Sequence, residues 1–170
     1  MSDPDLHVTV FADDQRLESL AAYSDHIDEL ATVFADASAG DGELLDRRPD
    51  PDSWSVAEIL HHLADAELQQ SVRLRRMLVE DAPAWGSWDG AAYGEALAYD
   101  ARPAADALTL VLAVRHVNVR MLASLSAEQW VRTTVHPEHG PIDVARVVEL
   151  IVEHTKSHVL QARRAVIGMT

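Results

Sequence analysis

His154 and His158, one helical turn apart in VVELIVEHTKSHVLQARRAV, are residues whose type and spacing could do chemistry. On a helix of about 3.6 residues per turn they project from one face. Val144, Val147, Ile151, Gln161 and Ala165 share that face at alternating steps of three and four, the spacing of a stripe that packs against other helices. A third imidazole sits on a second helical pattern. There Ile59, His62, Ala66, Gln69 and Arg73 form one stripe, and Leu60, Leu63, Glu67, Gln70 and Leu74 form its neighbour. His62 borders apolar positions on either choice of buried face, whereas His61 points about 100° away and is the weaker candidate. An imidazole left without a partner in an apolar interior costs about 1–3 kcal/mol. One divalent cation accepting lone pairs from His62, His154 and His158 removes three such costs together, so the pattern predicts a metal site.

Three neutral imidazoles leave tetrahedral Zn²⁺ with one open position, as in catalytic rather than closed structural sites. Nitrogen ligands also suit Ni²⁺, Co²⁺ or Fe²⁺. The open position admits a water, whose pKa falls towards about 7 on zinc, or a substrate thiol held as the nucleophilic thiolate. In the zinc-protease pattern HExxH a glutamate after the first ligand acts as general base. Here that place holds Thr155, so hydrolysis of that type is poorly supported. Thiol chemistry needs no protein base and is the preferred reading. Asp65, one turn from His62, is either a group that orients an imidazole from behind or a solvated helix-face acid. Arg73, three turns along the stripe, is expected either to recognise a substrate carboxylate or phosphate or to form an internal ion pair.

The elements that must hold these groups read as helices throughout. Asp13 or Asp14 can cap a first helix with Leu20, Tyr23, Ile27, Leu30 and Phe34 on one stripe, ending near SAGDGE. After the loop DRRPDPDSW, Ser55 and Glu58 form a capping box, with Trp54 and Ile59 placed as a hydrophobic staple. The second helix is predicted over about Val56 to Leu78. A long irregular stretch, EDAPAWGSWDGAAYGEALAYDARP, carries a short helix from Ala91 to Ala98. Pro103 opens a third long helix through Leu125, and Ser126 to Trp130 make a single turn. TTVHPEHGPID reads as a polar connector, and Asp143 caps a last helix that ends near Gly168. Four long helices with no useful strand pattern predict an all-α four-helix bundle.

Composition excludes other classes. A chain of 170 residues with 48% apolar residues fits one globular domain, taken as 1–170. No apolar run approaches the roughly 18 residues of a membrane span. The acidic start MSDPDLHVTVFADD lacks a basic region followed by an apolar one, so a cytoplasmic protein is expected. With no cysteine, thiolate ligands and a cysteine nucleophile are excluded within the chain. A formal charge of −14 argues against a nucleic-acid partner.

The stretches WSVAEILHHLAD, RLRRMLVEDAP, WDGAAY, HPEHGPID and EHTKSH resemble the DinB/YfiT-like superfamily, most closely its branch of YfiT-like metal-dependent hydrolases. The resemblance runs from about Arg47 to Arg164, with the first helix matching only in character. It implies an up-down-down-up four-helix bundle, a divalent metal held by His62, His154 and His158, and a homodimer acting on a small molecule. The superfamily also includes S-transferases that use bacillithiol or mycothiol, and a maleylpyruvate isomerase. Where close relatives carry further histidines, this chain has Gln161 and Glu67, which implies a different surround. The leading expectation is a metal-dependent S-transferase using a low-molecular-weight thiol, with Zn or Ni as the metal. A hydrolase or a non-catalytic metal-stabilised bundle is the alternative. His136 and His139 in HPEHG either overhang the site or belong to a plain turn, the favoured reading. His116 is taken as structural. Trp85, Trp88 and Tyr93 either wall a substrate pocket or pin the loop.

Overall fold

A computed structural model describes residues 13–168, with side chains from Arg16 onward. In chain order the elements are α1 (Asp13–Ala37), the single turn α2 (Glu43–Asp46), α3 (Val56–Val79), α4 (Gly90–Ala96), a 3₁₀ turn (Tyr99–Ala101), α5 (Ala104–Ala123), α6 (Ala127–Trp130), β1 (Thr133–His136), β2 (Gly140–Asp143) and α7 (Val144–Ile167). The cap expected from Asp13 or Asp14 and the acidic start of the chain lie outside the described residues and side chains. No helix among the described residues is long and apolar enough to cross a membrane.

The local signals act where they were expected. Ser55 Oγ accepts the N–H of Glu58 at 3.3 Å, and Glu58 Oε2 accepts the N–H of Ser55 at 2.8 Å. Both free donors at the start of α3 are thereby satisfied. Arg48 holds the same carboxylate through Nε at 2.9 Å and through a second contact from Nη2. Asp143 Oδ1 accepts the N–H of Arg146 at 2.8 Å and starts α7. Gly168 ends it at φ +72, a left-handed conformation that glycine adopts without strain.

The side-chain links fix the direction of each long helix. Tyr23 of α1 meets Glu67 of α3, while Leu30, Val33 and Ala37 share an apolar cluster with Val56 to Leu63, so α1 and α3 run antiparallel. Ser71 donates to Asn118 at 2.9 Å, and His61 faces the carbonyl of Arg102 just before α5 at 3.2 Å. Hence α3 and α5 run parallel. Arg115 bonds both the Tyr23 carbonyl and Thr155, and Arg163 pairs with Glu29 at 3.0 Å, so α1 and α7 are parallel too. The result is the up-down-down-up order.

The connector TTVHPEHGPID is not a plain loop. Thr133 to His136 pair antiparallel with Gly140 to Asp143 as a small hairpin. Thr134 Oγ1 donates to the Pro83 carbonyl at 2.7 Å, which ties the hairpin to the segment after α3. Four-residue strands are too short to show an alternating pattern, so pairing is decided here by the turn and by the tertiary anchor.

The core has two apolar clusters. One gathers Leu30, Val33, Val56 to Leu63 and Val159, and the other gathers Leu74, Met77, Leu122, Trp130 and Val144 to Ile151. Between them lies a polar layer drawn from all four long helices: Tyr23, Glu67, Arg115, Asn118 and Thr155, each at most 3% exposed. Glu67 and Arg115 form an ion pair at 2.7 Å. Glu67 Oε1 also accepts from the Tyr23 hydroxyl and, at 2.9 Å, from Asn118 Nδ2. Arg115 donates to the Tyr23 carbonyl at 2.6 Å and to Thr155 Oγ1 at 3.0 Å, and its guanidinium lies 3.9 Å from the centre of the Tyr23 ring.

Candidate metal centre

The three histidines singled out from the sequence meet in the groove between α3 and α7. His62, His154 and His158 each bring a ring nitrogen within 4.8 Å of the other two, and no described carboxylate joins them. The ring centres of His62 stand 5.1 Å from His154 and 4.6 Å from His158, with 4.5 Å between the latter pair. His62 Nε2 and His154 Nε2 lie 3.1 Å apart. Two nitrogens bound tetrahedrally to one zinc at about 2.0–2.1 Å stand roughly 3.3–3.4 Å apart, so the observed spacing suits a shared ion.

The groove position corrects one expectation. His62 is 5% exposed, but His154 and His158 are only half-buried. The buried face of α7 takes in Val144, Val147, Ile151 and Ala165 from the expected stripe together with Val148, Thr155, Val159 and Ala162 beside it, so the two histidines lie at its edge and not at its centre. The axis itself carries the polar layer.

Protonation also fits a cation. Gln161 Oε1 lies 2.8 Å from His158 Nδ1, so that nitrogen carries the proton and Nε2 keeps its lone pair. Burial, reinforced by His158 and His154, pushes the His62 imidazolium down to about 3. Burial, with His158 and Arg115, pushes His154 down to about 4. Burial also lowers His158, with Gln161 opposing. All three rings are therefore neutral ligands at pH 7.

In the metal-free protein these shifts predict a pH dependence. The unfolded chain binds protons at histidine near pH 6.5, whereas the folded rings resist them until about 3–4. The stability this difference supplies is present above pH 6.5 and is lost as the pH falls towards the folded values. Urea unfolding in chelator should show stability declining steadily from pH 7 to 5. A His62→Gln/His154→Gln variant should show a shallower decline, and equal slopes would contradict the shifts.

Two indoles and a loop backbone enclose His62. Trp54 lies 4.7 Å from it, and Trp88 stacks on it at 4.9 Å with planes 24° apart. Trp54 also stacks on His158 at 6.3 Å. Asp89 caps α4 by accepting the N–H groups of Ala91 and Ala92, which brings Gly90 onto the ring. A Cβ at position 90 would stand 2.6 Å from His62 Cε1 and 2.8 Å from Nδ1. His62 Nδ1 has no hydrogen-bond partner, so on that side packing holds the ring, while Nε2 faces His154 Nε2. Trp88 is thus a wall of the site, and Tyr93 packs edge-on against Trp88 at 5.8 Å.

Other candidates lie elsewhere. His61 faces the Arg102 carbonyl and stacks on Tyr99 at 5.6 Å, in agreement with its lower ranking. Asp65 does not orient a triad imidazole: its Oδ2 accepts from the Tyr99 hydroxyl at 2.5 Å and anchors the 3₁₀ turn. Arg73 forms no ion pair among the described residues. Its guanidinium donates to the carbonyls of Trp85 and Gly86, both at 3.0 Å, and lies 4.4 Å from the centre of the Trp85 ring. Arg73 and Trp85 therefore pin the loop. His116 is exposed on α5.

His136, Glu138 and His139 form a second group with close ligand atoms, in the hairpin turn. There His136 Nδ1 accepts the N–H groups of Glu138 and His139 at 3.1 and 3.3 Å. The neutral ring must then carry its proton on Nε2, which leaves no lone pair for a metal. The turn reading holds, and the contrast with His158 separates the two groups.

Comparison with known proteins follows the same line. The sequence pattern of the DinB superfamily matches residues 18–162. "Putative metal-dependent hydrolase OB0782" of Oceanobacillus iheyensis is 29% identical over 116 residues, covering 68% of this chain and 67% of that protein. "Putative metal-dependent hydrolase YfiT" of Bacillus subtilis is 26% identical over 107 residues, covering 62% of this chain and 60% of its own. The solved structure of YfiT from Bacillus subtilis, described as an unusual four-helix bundle topology, matches with a TM-score of 0.81 at 20% identity. That match spans 99% of this chain and 95% of the other, and the likeness is one of fold.

Proposed function

The chain belongs to the DinB superfamily, and on that premise we propose that it is a metal-dependent enzyme in which His62, His154 and His158 hold one divalent cation. The convergence of the three imidazoles carries this reading. Such an ion supplies the Lewis acidity that makes a thiol or a water nucleophilic near neutral pH. Gln161 keeps the His158 proton on Nδ1, Trp54 and Trp88 shield His62 from water, and His154 and His158 are left half-buried.

Transfer of a low-molecular-weight thiol to a small electrophile is the reaction we favour. The carboxylates flanking His62 on α3 are all engaged: Glu58 with Arg48 and the Ser55 N–H, Asp65 with Tyr99, and Glu67 with Arg115 and Tyr23. None is free to serve as a general base assisting attack by water, whereas attack by a metal-bound thiolate would transfer no proton and needs no base. Hydrolysis is the second reading, supported by the names of the relatives.

Protein reloaded with Zn²⁺ or Ni²⁺ should consume 1-chloro-2,4-dinitrobenzene in the presence of cysteine or another small thiol, and chelator should abolish that consumption. Cleavage of p-nitrophenyl acetate without thiol would select hydrolysis instead. No turnover of either, with a fall in melting temperature on chelation, would leave a metal-stabilised bundle without catalysis.

A further inference from the structure

We propose that Thr155, Arg115 and Glu67 are positioning residues that set the rotation of α7 and so aim His154 and His158 at His62; this rests on the reading that the triad holds a metal. Two neighbouring stripes of α7 make up its buried face. One runs through Val147, His154, His158 and Ala165, and the other through Val148, Thr155, Val159 and Ala162. Val147 and Ala165 are as buried as Val148 and Ala162, each 0% exposed, so the buried face spans both stripes, and a rotation of α7 about its axis would carry the imidazoles at its edge away from the groove. With apolar residues buried on either side of Val144 and Ile151, hydrophobic burial alone fixes that rotation only coarsely.

The polar layer fixes the rotation more closely. Thr155 Oγ1 donates to the Ile151 carbonyl at 2.9 Å and accepts from Arg115 Nη2 at 3.0 Å. Arg115 is held by Glu67 at 2.7 Å and by the Tyr23 carbonyl at 2.6 Å. Turning Thr155 away would leave a buried guanidinium short of an acceptor, which is costly in an apolar interior. Glu67 belongs to α3, the helix that carries His62, and Thr155 adjoins His154. The chain Glu67–Arg115–Thr155 is therefore a fixed link between the two ligand-bearing helices, made without any metal.

Thr155→Val keeps the shape and removes the acceptor, Thr155→Ser keeps the hydroxyl, and Val111→Ala on α5 weakens the core on a helix that carries no ligand. Each is titrated with Co²⁺, following the visible d–d bands, with circular dichroism and urea unfolding alongside. Thr155→Val should lose Co²⁺ affinity by about 10–100-fold, the range found when a partner that orients a ligand is lost, and its bands should change in intensity. Thr155→Ser should stay close to wild type, and Val111→Ala should lose stability without losing affinity. Arg115→Lys keeps a charge for Glu67 but lacks the fork that reaches both Tyr23 and Thr155, and should reproduce the loss. Unchanged binding in Thr155→Val and Arg115→Lys overturns the proposal, as does an equal loss in Val111→Ala. A wild-type chain that takes up no Co²⁺ overturns it together with the metal reading beneath it.

Discussion

His158→Ala should abolish stoichiometric metal binding while leaving the four long helices formed. The ring is half-buried and its one hydrogen bond is to Gln161, a residue on its own helix. Its loss therefore removes little from the core. For the cation the change is large, because two nitrogens from separate helices are left where three converged. The affinity should fall by more than the roughly 10–100-fold that follows loss of a merely supporting partner. Elemental analysis after dialysis, with circular dichroism on the same samples, measures both sides. His61→Ala is the matched control and should keep its metal, since His61 bonds the Arg102 carbonyl away from the triad. Metal retained in His158→Ala, or lost in His61→Ala, would refute the ligand assignment.

Glu67→Leu should be among the most destabilising single substitutions in the chain. Among the described residues it removes the one carboxylate paired with Arg115, which is 3% exposed. Breaking a buried ion pair from one side costs about 3–5 kcal/mol because the remaining charge is left uncompensated. At about 2–4 °C per kcal/mol for a chain of this size, the melting temperature should drop by roughly 6–20 °C. Arg115→Met should behave similarly. The double variant Glu67→Leu/Arg115→Met should lose less than the sum of the two, since apolar replacement of a whole buried pair is often close to neutral. Urea unfolding of the four proteins gives the coupling. A loss below about 1 kcal/mol in Glu67→Leu would mean that water or another group compensates Arg115, a smaller penalty than an orphaned buried charge carries.

How far the molecule could be read beforehand depends on the range of the interactions that decide each part. The start of α3 was legible because Ser55 and Glu58 act on backbone within one turn. The triad was legible because helix periodicity carries side-chain direction over several turns. The face of α7 was legible in part: Val144, Val147, Ile151 and Ala165 are buried as their spacing implies, whereas Thr155 beside them meets Arg115 from α5, a partner no local pattern shows. Glu67 looked like a replaced histidine, whereas its partners Tyr23, Arg115 and Asn118 come from α1 and α5. Arg73 was expected to meet a charge and instead meets the Trp85 and Gly86 carbonyls, since no local signal shows where a loop backbone will return. The hairpin is likewise decided by distant partners such as Pro83.

The parallel course of α3 and α5 has a consequence for access to the histidines. A chain leaving the end of a 24-residue helix and beginning a parallel neighbour must travel back along its whole length, about 36 Å at roughly 1.5 Å per residue. Residues 80–103 are that return journey, and they bring Trp88 and Gly90 onto His62, with Tyr93 behind Trp88. The cover over His62 is thus an obligation of the winding order, not an ornament added to it. A bundle of the same four rods wound strictly up and down would need no such strap, and of the two indoles His62 would keep only Trp54 beside it.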